Sequence, residues 1–301
     1  MSPMDPRRLR LLLELSRRGS MRAVADELGH TTSTVSQQLA VLAREAGATL
    51  IEPEGRRVRL TPAGRRLADH AVTILAALEA ARADLDPSGE PAGTVRVAGF
   101  ATAVRRSLVP VLAQLRAEHP AVRLRIHEHE PIEAFELLAA DEVDLALVYD
   151  YALAPVALDP ALQVTPLWSA AWGLGVPAAD DAAGEPAQDD APAVFRRFAG
   201  AGWIVNSRNV ADEQVVRTIA SLAGFEPRIA HRVDSLELVQ DLILAGLGVA
   251  LLPADGRVVE GVQLVALGRP EVALRSYAVT RPGRETWAPL RLVTHLLIAS
   301  A

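Results

Sequence analysis

One helix in the front third of the chain is too apolar along one side to stand alone, and it limits what the rest can be. Pro62 opens it, and Leu67, Ala71, Ile74, Leu78, Ala81 and Leu85 recur at intervals of four and three, the a/d seam of a coiled coil. The seam runs for roughly 27 Å at about 1.5 Å per residue and needs a partner helix. A second copy of the same helix is the expected partner, so 62–88 reads as a dimerisation element. It also divides the chain into a short segment, 1–61, and a long one, 89–301.

The short segment reads as helices. Leu9, Leu12 and Leu13 share one face, Gly19-Ser20 supplies a turn and an N-cap, and Met21, Val24, Ala25 and Leu28 continue the apolar stripe in a second helix. After Gly29 a third helix starts at Thr31 or Thr32, buries Val35, Leu39, Leu42 and Ala46, and stops at Gly47. Its other face carries Ser33, Ser36, Gln37 and Ala40. Two helices joined by a tight glycine turn, the second presenting hydroxyls and amides outward, form the pattern of a helix-turn-helix; a small bundle whose polar face meets water has the same pattern. The following residues, 50–61, read as two short strands around Glu54-Gly55, with Arg56, Arg57 and Arg59 at the turn and return strand. A basic hairpin in that place looks like a wing whose guanidinium groups touch phosphate. The charge agrees: residues 1–68 hold twelve Arg against seven acids, net +5, whereas 87–301 hold eighteen against twenty-six, net −8.

Beyond the turn-rich stretch 86–93 the pattern alternates. Strands at 94–98, 122–128 and 143–149, with helices near 103–118 and 131–140 between them, predict a largely parallel sheet covered by helices. A second set follows: strands at 163–168, 172–176, 203–205, 229–233 and 249–252, with helices near 193–199, 211–223 and 235–245. The loop 178–191, rich in Ala, Asp and Pro, reads as exposed. A last strand near 275–280 and a helix near 289–298 return to the first set. The order is that of two α/β lobes, about 93–165 with 268–301 and about 166–267, linked by crossovers.

Composition removes several kinds of chemistry. There is no cysteine, so no disulfide, thiol nucleophile or thiolate metal site; all 31 basic residues are arginine, which excludes a lysine Schiff base or P-loop lysine. No nucleophile-base-acid set stands out, so an enzyme is not expected. The run His127-Glu128-His129-Glu130 places two imidazoles on one face of a strand with no evident third ligand, and reads as a polar strand end with Glu128 near a cleft rather than a metal site. Gly246-x-Gly248 follows a helix and lacks a third glycine, so it is a turn. No apolar run reaches the roughly 18 residues of a membrane span, and the first ten residues lack the core of a secretion signal; a cytoplasmic protein without a membrane partner is expected.

With these residues in view, the chain resembles the LysR-type transcriptional regulators over essentially its whole length. The front does so through Leu9, Leu12, Gly19-Ser20, Val24-Ala25, Leu28, Val35-Ser36, Leu39, Leu42, Gly47, Leu50 and the run from Arg56 to Gly64. The rear does so through 94–97, Leu108-Val109-Pro110, His119-Pro120, Asp144-Leu145-Ala146 and 245–253. The resemblance implies an α/β protein: an N-terminal winged helix-turn-helix, a long linker helix, and a two-lobed effector domain like a periplasmic binding protein. It implies double-stranded DNA, an unidentified small-molecule effector, further copies in a homodimer or homotetramer, and RNA polymerase as partners, and no cofactor. Three departures stand out. Thr32 replaces a common Gln, Ala43 a common acid, and Leu50-Ile51-Glu52-Pro53 a common Leu-Phe-x-Arg, which removes an arginine from the wing.

The expected DNA contacts are Ser20, Thr31, Thr32, Ser33, Thr34, Ser36, Gln37, Gln38, Arg56, Arg57 and Arg59. Ligands of doubly wound sheets bind beyond the strand C-terminal ends, where helix N-termini offer free amides. Those positions are Phe100, Ala101 and Thr102, then Tyr149, then Asn206, Ser207 and Arg208, and Asp234-Ser235, joined by Glu128. Trp168, Trp172 and Trp203 are candidates for the cleft or for the core. Thr102, Ser207 and Arg208 suit a carboxylate, whereas Asp150 and Asp234 suit a cationic or hydroxylated ligand. A binding protein without a DNA role, or an enzyme on the same two lobes, are the alternatives.

Overall fold

The computed structural model describes residues 4–54, 57–85, 90–178 and 190–300. The front module is a trihelical unit of α1 (Pro6–Arg18), α2 (Met21–Leu28) and α3 (Thr32–Ala46), followed by the hairpin β1 (Ile51–Glu54) and β2 (Arg57–Leu60). Side-chain caps start each helix: Asp5 for α1, Ser20 for α2 and Thr31 for α3. The turn between α2 and α3 uses Gly29 at φ +65°, a conformation that costs a residue with a Cβ. Leu9, Leu12, Val35, Leu39, Leu42 and Leu50 are fully buried in one small core.

Helix α4 (Pro62–Leu85) begins against this module. A Cβ on Gly64 would collide with the Leu50 carbonyl, so the hairpin and the first turn of α4 are held together by the absence of a side chain. Here the structure corrects the coiled-coil seam. Ala71 is fully buried in the core that α1 shares with α4 and so does not face a second copy, and Leu67 packs partly against the same core. The spacing identified the apolar face, and α1 of the same chain occupies half of it. Ile74 and Ala81 remain exposed and Leu78 half-buried; the side chain of Leu85 lies outside the described residues, as does 86–89.

The rear part is built on a nine-stranded described sheet in the order β4-β3-β5-β11-β6-β9-β7-β8, with β10 paired to β6. In lobe I, β3 (Gly93–Gly99) lies parallel between β4 (Val122–Glu128) and β5 (Leu145–Tyr151). In lobe II, β7 (Gly202–Val205) lies parallel between β8 (Arg228–Arg232) and β9 (Val249–Pro253). Two crossing strands run antiparallel to these, so the sheet is parallel only within each lobe. One is β6 (Gln163–Pro177), which pairs with β11 (Ala273–Thr280) up to Ala171 and with β9 from Trp172 onward. The strand therefore changes lobe near 171–172, later than the sequence boundary near 165. Ser169-Ala170-Ala171, poor strand formers, made one strand read as two. The strand β10 (Val262–Val265), only four residues long, was missed.

Helices cover both faces: α7 (Pro131–Ala139) and α11 (Ala288–Ala299) on lobe I, with α8 (Ala191–Arg197), α9 (Ala211–Ala223) and α10 (Leu236–Leu244) on lobe II. The helix after β3 starts earlier than the periodicity suggested. It runs as α5 (Ala101–Ala103), a π-helical turn Val104–Leu108 and α6 (Val109–Glu118). Its buried apolar residues Ala103, Leu108, Val111 and Leu115 fall at intervals of five, three and four, and the five is the widened turn that a 3.6-residue template misses. The loop predicted at 178–191 lies largely outside the described residues.

Lobe I carries the front module. Arg17 of α1 pairs with Glu14 and with the buried Asp141, and Arg281 reaches Asp69 of α4 at 3.7 Å and Asp141 at 3.9 Å. Beside them Arg96 binds Asp144 through Nε, Nη2 and its backbone N–H, and Arg284 pairs with the same carboxylate.

Candidate DNA-binding face and ligand cleft

Burial of Val35, Leu39 and Leu42 fixes the rotation of α3, which leaves Ser33, Ser36 and Gln37 exposed along its outer side. Thr31 accepts from the Thr34 amide at 3.2 Å while its hydroxyl meets those of Ser33 and Thr34 at 2.9 and 2.8 Å, so the helix start is a cluster of hydroxyls with no acid in the first turn. Thr32 is exposed beside them, and Ser20 is half-buried as the cap of α2. Gln38 turns inward, where its Oε1 accepts from Arg8 Nε at 2.8 Å. In the hairpin Arg59 is exposed and paired with Glu52 at 2.8 Å. Arg56 and the side chain of Arg57 lie outside the described residues. A neutral, donor-rich helix face of this kind matches the hydrogen-bonding edges of base pairs in a major groove.

Between the lobes lies a cavity of about 270 Å³, entered from lobe I by the C-terminal ends of β3, β4 and β5 and from lobe II by those of β7 and β8. Phe100 precedes α5 without a side-chain cap, so no side chain satisfies the first-turn amides, and Ala101 and Thr102 line the opening. Phe100 packs on Tyr149 at 4.5 Å between ring centroids, and the Tyr149 hydroxyl donates to Glu130 Oε2 at 2.9 Å. Burial raises the Glu130 carboxyl above its ordinary value, although the Tyr149 hydroxyl and the Arg208 charge pull the other way. Burial likewise pushes Asp212, in the first turn of α9, up to about 7; neighbouring Tyr151 opposes this while the charges of Glu130 and Asp234 add to it. Asp234 behaves oppositely. It too is partly desolvated, yet the Ser207 hydroxyl and amide and the Arg208 guanidinium hold it below the usual aspartate range.

Ion pairs span the cleft. Arg208 of lobe II binds Asp234 at 2.6 Å and reaches Glu133 of lobe I at 3.1 Å. Arg105, in the π-helical turn, reaches Glu237 of lobe II at 2.9 Å, and Arg106 reaches Asp255 while stacking on Trp168 at 4.6 Å.

Residues 6–65 match the model of the bacterial regulatory helix-turn-helix protein, lysR family, and residues 88–300 match the LysR substrate binding domain. The chain belongs to the LysR family of transcriptional regulators. It is a DNA-binding regulator with a helix-turn-helix unit and an effector-binding domain. Among its relatives, the transcriptional dual regulator GltC of Bacillus subtilis is 28% identical over 254 residues, 83% of this chain and 81% of GltC. The transcriptional activator IlvY of Salmonella typhimurium is 28% identical over 256 residues, 83% of this chain and 82% of IlvY. A full-length OxyR variant from Pseudomonas aeruginosa has the same fold, with a TM-score of 0.72 at 17% identity over 100% of this chain and 95% of that one. So has CbnR, solved in complex with its target DNA, with a TM-score of 0.55 at 20% identity over 99% and 100%.

In this regulator Phe100, Ala101, Thr102, Glu128, Tyr149, Asn206, Asp234 and Ser235 all line the cavity. Ser207 and Arg208 do not: both bond Asp234 at the exposed rim. Asp150 turns away from the cleft, where Arg275 binds it through two 2.8 Å contacts across β5 and β11. Of the tryptophans, Trp172 lines the cavity, Trp168 donates to Ser107 at 2.9 Å, and Trp203 is fully buried in the core. The sequence pattern did not point to Arg105, Glu130, Asp212 and Glu237, the other charged residues among the described lining. Glu130 had a signal, since it caps α7 immediately before Pro131 at a strand end.

Proposed function

We propose that residues 1–61 bind double-stranded DNA, that 62–88 join two copies, and that a small molecule held between the lobes of 89–301 changes how the DNA-binding units of a homodimer or homotetramer are disposed. One observation carries the reading: a cavity lined from two lobes shares a chain with a helix whose hydroxyl and amide face is open. Ser33, Ser36 and Gln37 are the candidates for base edges, with Thr31, Thr32 and Ser20 at the helix starts and Arg56, Arg57 and Arg59 for phosphate. Thr34 and Gln38 support the others through Thr31 and Arg8. For the ligand the candidates are Phe100, Ala101, Thr102, Glu128 and Tyr149 from lobe I and Asn206, Asp234 and Ser235 from lobe II; Ser207 and Arg208 position Asp234. Ile74, Leu78 and Ala81 form the remaining seam.

The regulator acts in the cytoplasm alongside RNA polymerase, without cofactor and without catalysis. With no cysteine, its signal is not thiol oxidation. A ligand can bias DNA binding only by preferring one arrangement of the assembly, which the lobe-spanning pairs of Arg208 and Arg105 make sensitive to closure. A gel shift against the DNA flanking the protein's own coding region, with and without metabolite extract, tests this. A retarded complex on that DNA, altered by extract, is expected; no complex in either condition, or equal affinity for random DNA, overturns it.

A further inference from the structure

The charges in the cleft are one-sided. Five carboxylates (Glu128, Glu130, Asp212, Asp234 and Glu237) line it, against a single guanidinium, Arg105, among the described lining residues. Three of the five are already answered: Asp234 by Arg208 at 2.6 Å, Glu128 by Arg208 at 3.7 Å, and Glu237 by Arg105 at 2.9 Å. Glu130 and Asp212 are left. Glu130 is 6% exposed and receives the Tyr149 hydroxyl, with no cation bonded to it among the described residues. Asp212 is partly buried; its Oδ1 is shielded from solvent and makes no hydrogen bond of normal geometry among the described residues, and the Tyr151 hydroxyl, which lies close enough to favour the charged form, makes none either. An unanswered buried carboxylate oxygen costs free energy that a donor arriving with a ligand would recover.

The remaining walls are apolar and aromatic: Phe100, Trp172, Leu251 and Leu274 enclose the space next to these carboxylates. A carboxylate ligand would meet two like charges there, and the guanidinium that the sequence offered it, Arg208, is held by Asp234 at the rim. We infer that the cleft takes a small protonated amine, whose ammonium group donates to Glu130 and Asp212 while its apolar body lies against Phe100, Trp172 and Leu274. The inference rests on the cleft being the effector site. A nearby cation also relieves the desolvation that lifts both carboxyl groups, so the ligand and the wall stabilise each other's charged form.

The test compares three probes that share one ring and differ in charge: cyclohexylamine, cyclohexanol and cyclohexanecarboxylate. Each is titrated into the full-length chain at slightly alkaline pH by ligand-detected NMR. The amine is expected to bind about tenfold more tightly than the alcohol, with the carboxylate weakest, as a charge-assisted contact requires. Asp212→Asn and Glu130→Gln, which keep shape and remove charge, should each reduce amine affinity by about tenfold and leave the alcohol unchanged. Two variants are used so that a folding defect in one, checked by thermal melting, leaves the other decisive. Carboxylate binding as tight as the amine, amine binding indifferent to both substitutions, or no amine binding at all overturns the inference. Thr102→Trp, which fills the cleft mouth, separates the two levels of the argument. A carboxylate or alcohol that binds wild type and is expelled by the tryptophan leaves the cleft an effector site with the wrong ligand class assigned. Probes that bind equally well to Thr102→Trp sit elsewhere, and the cleft reading falls with the inference.

Discussion

Asp144→Asn removes one charge from a position that two arginines depend on. The carboxylate is 2% exposed, receives Arg96 Nε at 3.0 Å, Arg96 Nη2 at 2.8 Å and the Arg96 amide at 2.9 Å, and also pairs with Arg284. Breaking a buried pair from one side costs about 3–5 kcal/mol, because the partner stays behind desolvated. Arg96 and Arg284 keep 26% and 13% of their side chains exposed, so water screens part of the loss and the lower end, about 3 kcal/mol, is expected. For a domain of about 200 residues that corresponds to a fall in melting temperature of roughly 6–12 °C.

The pH dependence sharpens the test. Burial alone would raise the Asp144 carboxyl, but the Arg96 hydrogen bonds and the charges of Arg284 and Arg96 outweigh it, and the group lies below 3.8 in the folded chain. A carboxyl depressed on folding contributes stability that is full above its unfolded value and disappears as pH falls through the folded one. Wild type and Asp144→Asn should therefore differ at neutral pH and converge in acid, as pH falls through the depressed folded value of the carboxyl. Calorimetric melts across that range check it. Equal melting temperatures at neutral pH, or a gap that persists unchanged in acid, would refute the assignment of Asp144 as the anchor of this cluster.

Three further outcomes are expected. Gln37→Ala should shift base preference at a cost of about 1–3 kcal/mol, whereas Arg56→Ala should weaken all sequences alike and lower the salt slope by about 1; equal losses on specific and random DNA for Gln37→Ala take it out of the reading set. Ile74→Glu puts an unpaired charge on the exposed half of α4 and should dissociate the dimer, and sedimentation showing an unchanged dimer moves the interface elsewhere. Thr102→Val keeps the shape at the cavity wall and removes the hydroxyl, so DNA affinity without effector should hold while the effector-dependent change in DNase footprint length shrinks; a full response excludes Thr102.

What could be read from the sequence was what neighbours in the chain decide. Gly29, Thr31 and Gly47 mark helix ends through local backbone chemistry, and the face of α3 follows from Val35, Leu39 and Leu42 within four turns. Phe100, Thr102 and Asp234 could be placed at the cavity because they stand where a strand gives way to a helix, whereas Tyr149 lines it from near the C-terminal end of β5, which no helix follows directly. The misreadings needed distant residues. Leu67 and Ala71 sit on the apolar face the spacing identified, but only the packed structure shows α1 against it. Arg208 is the right residue type for a carboxylate, and the carboxylate it holds is the protein's own, 26 positions along the chain. Asp212 looks like an ordinary first-turn acid; its environment comes from Glu130 and Tyr151 on the other lobe.

The π-helical turn Val104–Leu108 sets a phase. One residue advances a regular helix by about 100°, and the widened turn absorbs that step between Ala103 and Leu108. Upstream, Ala101 and Thr102 line the cleft; downstream, Val111 and Leu115 are buried in the core of lobe I. A uniform helix cannot meet both demands. The extra residue lets them be met independently, and it delivers Arg105 and Arg106 across the gap to Glu237 and Asp255. Deleting any one residue of 104–107 would leave the composition almost unchanged and rotate everything before it, so that the helix would dock correctly at one end and point the wrong way at the other.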